Sequence, residues 1–139
     1  MTGRTHLSWG IATSLALCGD VASGALVTIG SILPDIDNHN SLLGKSLPFI
    51  PKIIKHRTWT HGLLFLVLCY FINMYLFYGC CIHIILDMMT KQGCPLLYPF
   101  DLKFKFPFAG FVKTGGKFEE FMFVISLFII TYLSIKQCI

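Results

Sequence analysis

Between Thr58 and Leu86 the chain carries no charged residue, and this run constrains the fold more than any other stretch. Hydropathy alone would draw it as one long transmembrane helix. It is bounded, however, by His61 near one end and His83 near the other, which on a continuous helix would stand about 33 Å apart. If both imidazoles serve one site, the run must reverse, near Asn73–Met74 or at Tyr78–Gly79. Each arm of that hairpin is then about 18 Å long, too short to cross a ~30 Å hydrocarbon core upright. The arms therefore read as re-entrant, embedded from one side, or set in a locally thinned bilayer.

The first part of the chain repeats the plan. Residues 5–18 and 21–33 are apolar and are separated by a turn signal at Gly19–Asp20. As one helix, residues 6–35 would span about 43 Å; as a hairpin they return His6 to the side of Asp35 and Asp37. Pro34 ends the second arm, because the residue before a proline disfavours helix. A basic connection follows over residues 38–57, with Lys45, Lys52, Lys55 and Arg57, and with Pro48 and Pro51 as breakers. Within it, Lys52 to Arg57 reads as a short interfacial helix anchored by Phe49, Ile50, Ile53 and Ile54. Residues 88–118 form a second polar connection, whose Lys103-Phe104-Lys105-Phe106 reads as a short strand or as a loop with its aromatics in the headgroup region. Glu119 and Glu120 open a last helix, where their charge suits the positive end of the dipole, and Phe121 to Ile135 is apolar. The expected fold is all-α: residues 1–139 as a single small integral membrane bundle, two helical hairpins plus a C-terminal helix, with a metal site at the hairpin mouths.

Composition supports the membrane. Apolar residues make up 55% of the 139-residue chain and charged residues 13%, against about 25% charged in ordinary soluble domains. So small a domain has too little interior to hide that surface. Arg4 precedes an apolar segment, but no small-residue cleavage pattern leads into a polar mature domain, so a secretory signal is not expected. The six cysteines lack Cys-x-x-Cys spacing and read as reduced, buried side chains, with Cys94 alone placed to add a ligand. A net charge of +4, without a basic run interleaved with exposed aromatics, argues against nucleic acid as a partner.

Against this apolar background the polar residues cluster. Asp35 and Asp37 flank a lone isoleucine at the end of an apolar segment, where an unpaired carboxylate is costly. One of them would fit an Asx turn; two, followed by Asn38 and His39, fit a hard-metal site better. His83 and Asp87 are spaced i, i+4 on one helix face, with Thr90 continuing the stripe, so Asp87 either ligates the metal or orients the imidazole. His56 and His61 flank Arg57, whose guanidinium suits a phosphate or, alternatively, anchors the chain at the interface beside Trp59. These groups exceed the needs of one tetrahedral zinc and suit two metals sharing a bridging water.

In these pieces the chain resembles the YdjM-like family of membrane-bound metal-dependent hydrolases, described for bacterial inner membranes and linked by name to the LexA regulon. The matching pieces are Thr5-His6-Leu7, then Leu33-Pro34-Asp35-Ile36-Asp37 with Ser41 to Gly44. His56-Arg57 through Thr60-His61, His83 through Thr90 to Gly93 and Pro95, and a glycine-rich approach to Glu119 complete the match. The resemblance implies His6, Asp35, Asp37, His56, His61, His83 and Asp87 as the metal-site set, with Glu119 as an addition. Two departures stand out: Asn38 occupies a position where the family often has histidine, and the connection from His61 to His83 is short. The family is in turn distantly similar to all-helical zinc phospholipases C and nucleases, which implies phosphoester chemistry by analogy.

The expectation is a membrane-bound metal-dependent hydrolase. It would use a divalent metal, zinc by preference and with room for two ions, to cleave a phosphate ester of a phospholipid or another membrane-associated substrate. Asp37 and Asp87 are the candidates for general base and Arg57 for contact with phosphate. Every Lys and Arg except Lys136 falls on the site-bearing side, which places the site at the cytoplasmic face of the inner membrane. A non-catalytic metal-binding or transport protein would use the same ligands, but transport needs a polar path that only Asp20 and Asn73 begin to supply. Haem binding ranks last, because a haem site would not gather three aspartates.

Overall fold

The computed structural model describes residues 1–53, 56–100 and 102–139. It is all-helical. Helices α1 (Gly3–Leu17) and α2 (Val21–Gly30) form the first hairpin. Asp20 makes the turn by capping α2, its carboxylate accepting from the Ser23 backbone N–H at 2.9 Å and the Ser23 hydroxyl at 2.6 Å. A 3-10 turn over Leu33–Asp37, opened by Pro34, carries both aspartates. Two short helices, α3 (Leu42–Ser46) and α4 (Ile50–Ile53), follow, then a 3-10 turn at Trp59–His61.

Helices α5 (Leu63–Ile72) and α6 (Met74–Met88) form the second hairpin. Of the two reversal points open to the sequence, the chain uses the first. Asn73 leaves helical geometry, and its side chain accepts from the N–H groups of Tyr75 at 2.8 Å and Leu76 at 3.3 Å, so one polar residue starts α6 without exposing its first donors. Gly79 lies inside α6 and serves packing. A methyl group there would overlap the Val27 carbonyl, and one on Gly30 would overlap the Leu76 carbonyl, so α2 and α6 approach backbone to backbone. Helix α1 packs on α7 (Lys117–Cys138) through Trp9 Nε1 donating to the Met122 carbonyl at 3.2 Å and Ser126 donating to Ser8 at 2.7 Å.

Several local expectations resolve. The helix expected over Lys52–Arg57 ends at Ile53; Ile54 and Lys55 lie outside the described residues, and His56 and Arg57 form a turn in which Arg57 takes a φ of 59°. The 103–106 alternation is a loop pinned by one antiparallel pair, Cys94 with Phe104, rather than a strand. Its next tie goes elsewhere: the Phe106 N–H donates to the carbonyl of Met88 at the end of α6, and the chain leads into a 3-10 turn at Pro107. All six cysteines are free, and the Cys94 thiol donates to the His61 carbonyl at 3.3 Å, away from the ligand atoms.

The apolar core lies between α5 and α6, around Phe65, Leu66, Cys69, Cys80 and Ile84. The outer faces stay apolar and uncovered: Leu64 and Phe71 on α5, and Phe121, Phe128 and Tyr132 on α7, are exposed. Helix α7 has 22 residues, about 33 Å of rise, and is long and apolar enough to cross a membrane, with little of it buried. The hairpin helices have only 10 or 15 residues each. The start of α1, the ends of α2 and α6, and the start of α5 meet at one end of the bundle, and the polar side chains gather there.

Candidate metal centre

Burying imidazole and carboxylate at helix ends is unfavourable unless each polar atom has a partner. His6, His61 and His83 are fully buried, and Asp35, Asp37 and Asp87 nearly so. Among the described residues, the buried side-chain nitrogens without a hydrogen-bond partner are Nδ1 and Nε2 of His6, Nε2 of His61, Nε2 of His83 and Nε of Arg57. The three Nε2 atoms all lie within 4 Å of the Asp35 or Asp87 carboxylate. Orphaned atoms are rare in folded proteins, and here they converge.

The neighbours of two histidines fix which nitrogen is bare. His83 Nδ1 lies 2.7 Å from the Ser31 carbonyl oxygen, which can only accept, so Nδ1 carries the proton and Nε2 presents a lone pair. The Thr60 hydroxyl donates to Asp37 Oδ2 at 2.5 Å, so toward His61 Nδ1, at 3.0 Å, it accepts. That leaves His61 Nε2 bare as well. Both rings are in the state a metal ligand needs, each oriented through its far nitrogen.

The carboxylates close a ring with them. Asp35 Oδ1 stands 3.8 Å from His83 Nε2 and 3.9 Å from His61 Nε2. Asp87 Oδ2 stands 3.7 Å from His61 Nε2, and Asp87 Oδ1 3.3 Å from His6 Nε2 without the alignment of a hydrogen bond. His6 then stacks on His83, ring centroids 3.7 Å apart. Ligand atoms around a tetrahedral ion with bonds of ~2.1 Å sit about 3.4 Å from one another. The separations bracket that figure, so the residues fit a divalent cation.

Three overlapping ligand groups result: His6 with His83 and Asp87; Asp35 with His61 and His83; and Asp37 with His56 and His61. The first and third share no residue, and the second, built on Asp35, shares His83 with one and His61 with the other. In the third group Asp37 is already occupied. It accepts from His56 Nδ1 at 2.6 Å, the Arg57 backbone N–H at 3.0 Å and the Thr60 hydroxyl. Burial alone would raise its pKa, but the hydrogen bonds from His56 and Thr60 and the nearby His61 ring outweigh it and hold the carboxyl below the ordinary range. A carboxylate so held is a poor proton acceptor and a good orienting group.

The other expected site residues are placed as follows. Arg57 points inward, Nη2 on Asp87 Oδ2 at 2.5 Å and Nη1 on the Gly93 carbonyl at 3.1 Å. Asp87 also meets the ammonium of Met1. Glu119 belongs to none of the three groups. Its Oε1 accepts from the Thr2 N–H at 2.5 Å, the Thr2 hydroxyl at 2.6 Å and the Thr5 hydroxyl at 2.8 Å, and its Oε2 from the Gly115 N–H at 2.6 Å. It fastens the first turn of α1, and hence His6, to the first turn of α7. His56 is partly exposed at the rim, and His39 is an exposed loop residue. Sequence reasoning missed Thr60 and the Ser31 carbonyl. Thr60 had a signal, standing beside His61 in an otherwise apolar run; a backbone carbonyl has none.

Fold and site together define a small helical bundle with an apolar outer surface and a metal-competent centre buried where its helix ends meet. The chain belongs to the YdjM inner membrane protein family, which matches it over residues 1–138. It is 32% identical to the uncharacterized protein YvsG of Bacillus subtilis (strain 168), over 86% of each chain. It is also 32% identical to the inner membrane protein YdjM of Escherichia coli (strain K12), covering 88% of this chain and 77% of that one, and to its Shigella flexneri counterpart to the same extent. No solved structure matches the chain.

Proposed function

We propose that this protein is a membrane-bound metal-dependent hydrolase acting on a phosphate ester, with zinc as the preferred ion. The observation that carries the reading is the convergence of bare, buried imidazole nitrogens from His6, His61 and His83 on the carboxylates of Asp35 and Asp87. His6, His61, His83, Asp35 and Asp87 would hold a divalent ion, which would supply Lewis acidity for phosphoester cleavage. The chain's own residues do the rest. Ser31 and Thr60 fix the ring orientations; Asp37 holds the His56–Thr60 segment in place. Arg57 keeps Nε free of protein partners, a donor suited to a phosphoryl oxygen. We assign proton transfer to the Asp35 oxygen not turned to the imidazoles, because Asp37 is held ionised by its donors and Asp87 is paired with Arg57.

Family membership and the uncovered apolar faces support seating in the inner membrane, and the lysine distribution supports a cytoplasmic site. Carriage of the ion across the membrane is the weaker alternative, because the interior beyond His83 is filled by Leu66, Cys69, Cys80 and Ile84. The test is metal content of the purified protein, followed by assay against phospholipids and phosphomonoesters before and after chelation. Hydrolysis that is lost on chelation and restored by zinc is expected. Bound metal with no turnover of any phosphoester would overturn the hydrolase reading and leave a metal-binding protein.

A further inference from the structure

The two connections at the site end of the bundle combine two features that a water-facing loop does not need together. Three lysines fall between residues 38 and 62 and five between 88 and 118, against a single carboxylate in both, Asp101. Large apolar side chains stand uncovered among them: Phe49 is 58% exposed, Ile53 80%, Phe100 69% and Leu102 57%. Along Leu102-Lys103-Phe104-Lys105 every residue is exposed, so the apolar members are not turned onto the protein's own core. The opposite end differs. There the reversals at Gly19–Asp20 and Asn73 carry no cation, and Lys136 alone is basic.

Apolar side chains interleaved with flexible cations match the boundary between acyl chains and headgroups, where rings enter the hydrocarbon edge and lysine stems extend to phosphate. From this we infer that the two connections form a docking surface for anionic phospholipid, with Phe49 and Ile53 on one and Phe100 and Leu102 on the other inserted below the headgroup plane. Lys45, Lys52, Lys103 and Lys105 then pair with lipid phosphates. The exposed apolar faces of α5 and α7 offer the same bilayer further apolar surface to cover. This holds whatever chemistry the metal centre performs.

The experiment uses the full chain in nanodiscs of phosphatidylethanolamine with phosphatidylglycerol. Nitroxides placed singly at positions 49, 53, 100 and 102 are expected to be more accessible to oxygen than to a water-soluble nickel chelate, with a label at Ser46 showing the reverse. Spin-labelled phosphatidylglycerol should associate about 5-fold or more in preference to phosphatidylcholine, the factor corresponding to one near-surface lysine. Replacing Lys45, Lys52, Lys103 and Lys105 by Gln should bring that preference toward unity; these side chains are exposed, so the fold is retained. Labels at 49 and 100 open to the nickel chelate would overturn the inference. So would labels closed to both reagents, which would mean a protein partner, or a lipid preference that the lysine variant leaves unchanged.

Discussion

His83 on α6 hands its Nδ1 proton to the backbone carbonyl of Ser31, the residue that ends α2, at 2.7 Å. The bond sits close beyond the crossing of Gly30 and Gly79, so the distance between two helix backbones sets the aim of a ligand nitrogen. Gly79→Ala should therefore act on the metal centre from outside it. A methyl overlapping the Val27 carbonyl forces the helices apart, which is expected to destabilise the protein by about 1–3 kcal/mol and to weaken metal binding in parallel. Thermal unfolding and zinc titration of the variant in detergent check both effects. Unchanged metal affinity at lowered stability would separate the crossing from the site.

Asp35 and Asp37 are one residue apart in sequence and differ in role. Asp37→Asn removes an orienting charge and should weaken metal binding about 10- to 100-fold, the range for a group that supports a ligand. Asp35→Asn and His83→Ala remove ligand atoms and should lower affinity further, to the point of metal-free protein after purification. Metal quantitation on the three variants gives the order, and equal losses for Asp35→Asn and Asp37→Asn would place both in contact with the ion.

Glu119→Gln tests the clamp between α1 and α7. The amide replaces a carboxylate that accepts four hydrogen bonds from Thr2, Thr5 and Gly115, and a loss of about 1–3 kcal/mol is expected. Amide exchange should rise at the first turn of α1, and metal affinity should fall because His6 loses its fixed position. Thr5→Val, which removes one of those donors, should give a smaller change in the same direction. A Glu119→Gln protein that loses metal without faster exchange in α1 would instead mark Glu119 as a ligand.

Chelation should lower the unfolding temperature of the wild-type protein and leave that of His83→Ala nearly unchanged, because binding energy at such a site is also folding energy. Differential scanning fluorimetry with and without chelator decides it.

Much of this was legible in the sequence, for a physical reason. In an apolar chain each buried His or Asp must be explained, so His6, Asp35, His61, His83 and Asp87 announced themselves, and requiring them to meet forced both hairpins. Their partners were harder to see. The capping role of Asn73 chose one reversal over the other only through its side-chain geometry. Glu119 sits in a pattern suggestive of a ligand, but donors on Thr2 and Thr5, 114 or more residues away, claim one of its oxygens and the Gly115 N–H claims the other. Arg57 looked outward by type, yet Asp87 and Gly93 turn it inward.

The ring of ligands has a further consequence for how the protein comes to be built. His6 and Asp35 flank the first hairpin, and His61, His83 and Asp87 belong to the second. Each hairpin brings its own ligands together but leaves the set incomplete. A cation bound between them ties the start of α1 to the end of α6, making a closed loop out of most of the chain. On the proposed seating of both hairpins in the bilayer, it would do so only when they enter from the same side. Metal retention thus reads out correct insertion: a chain with one hairpin inverted has all the residues and no site.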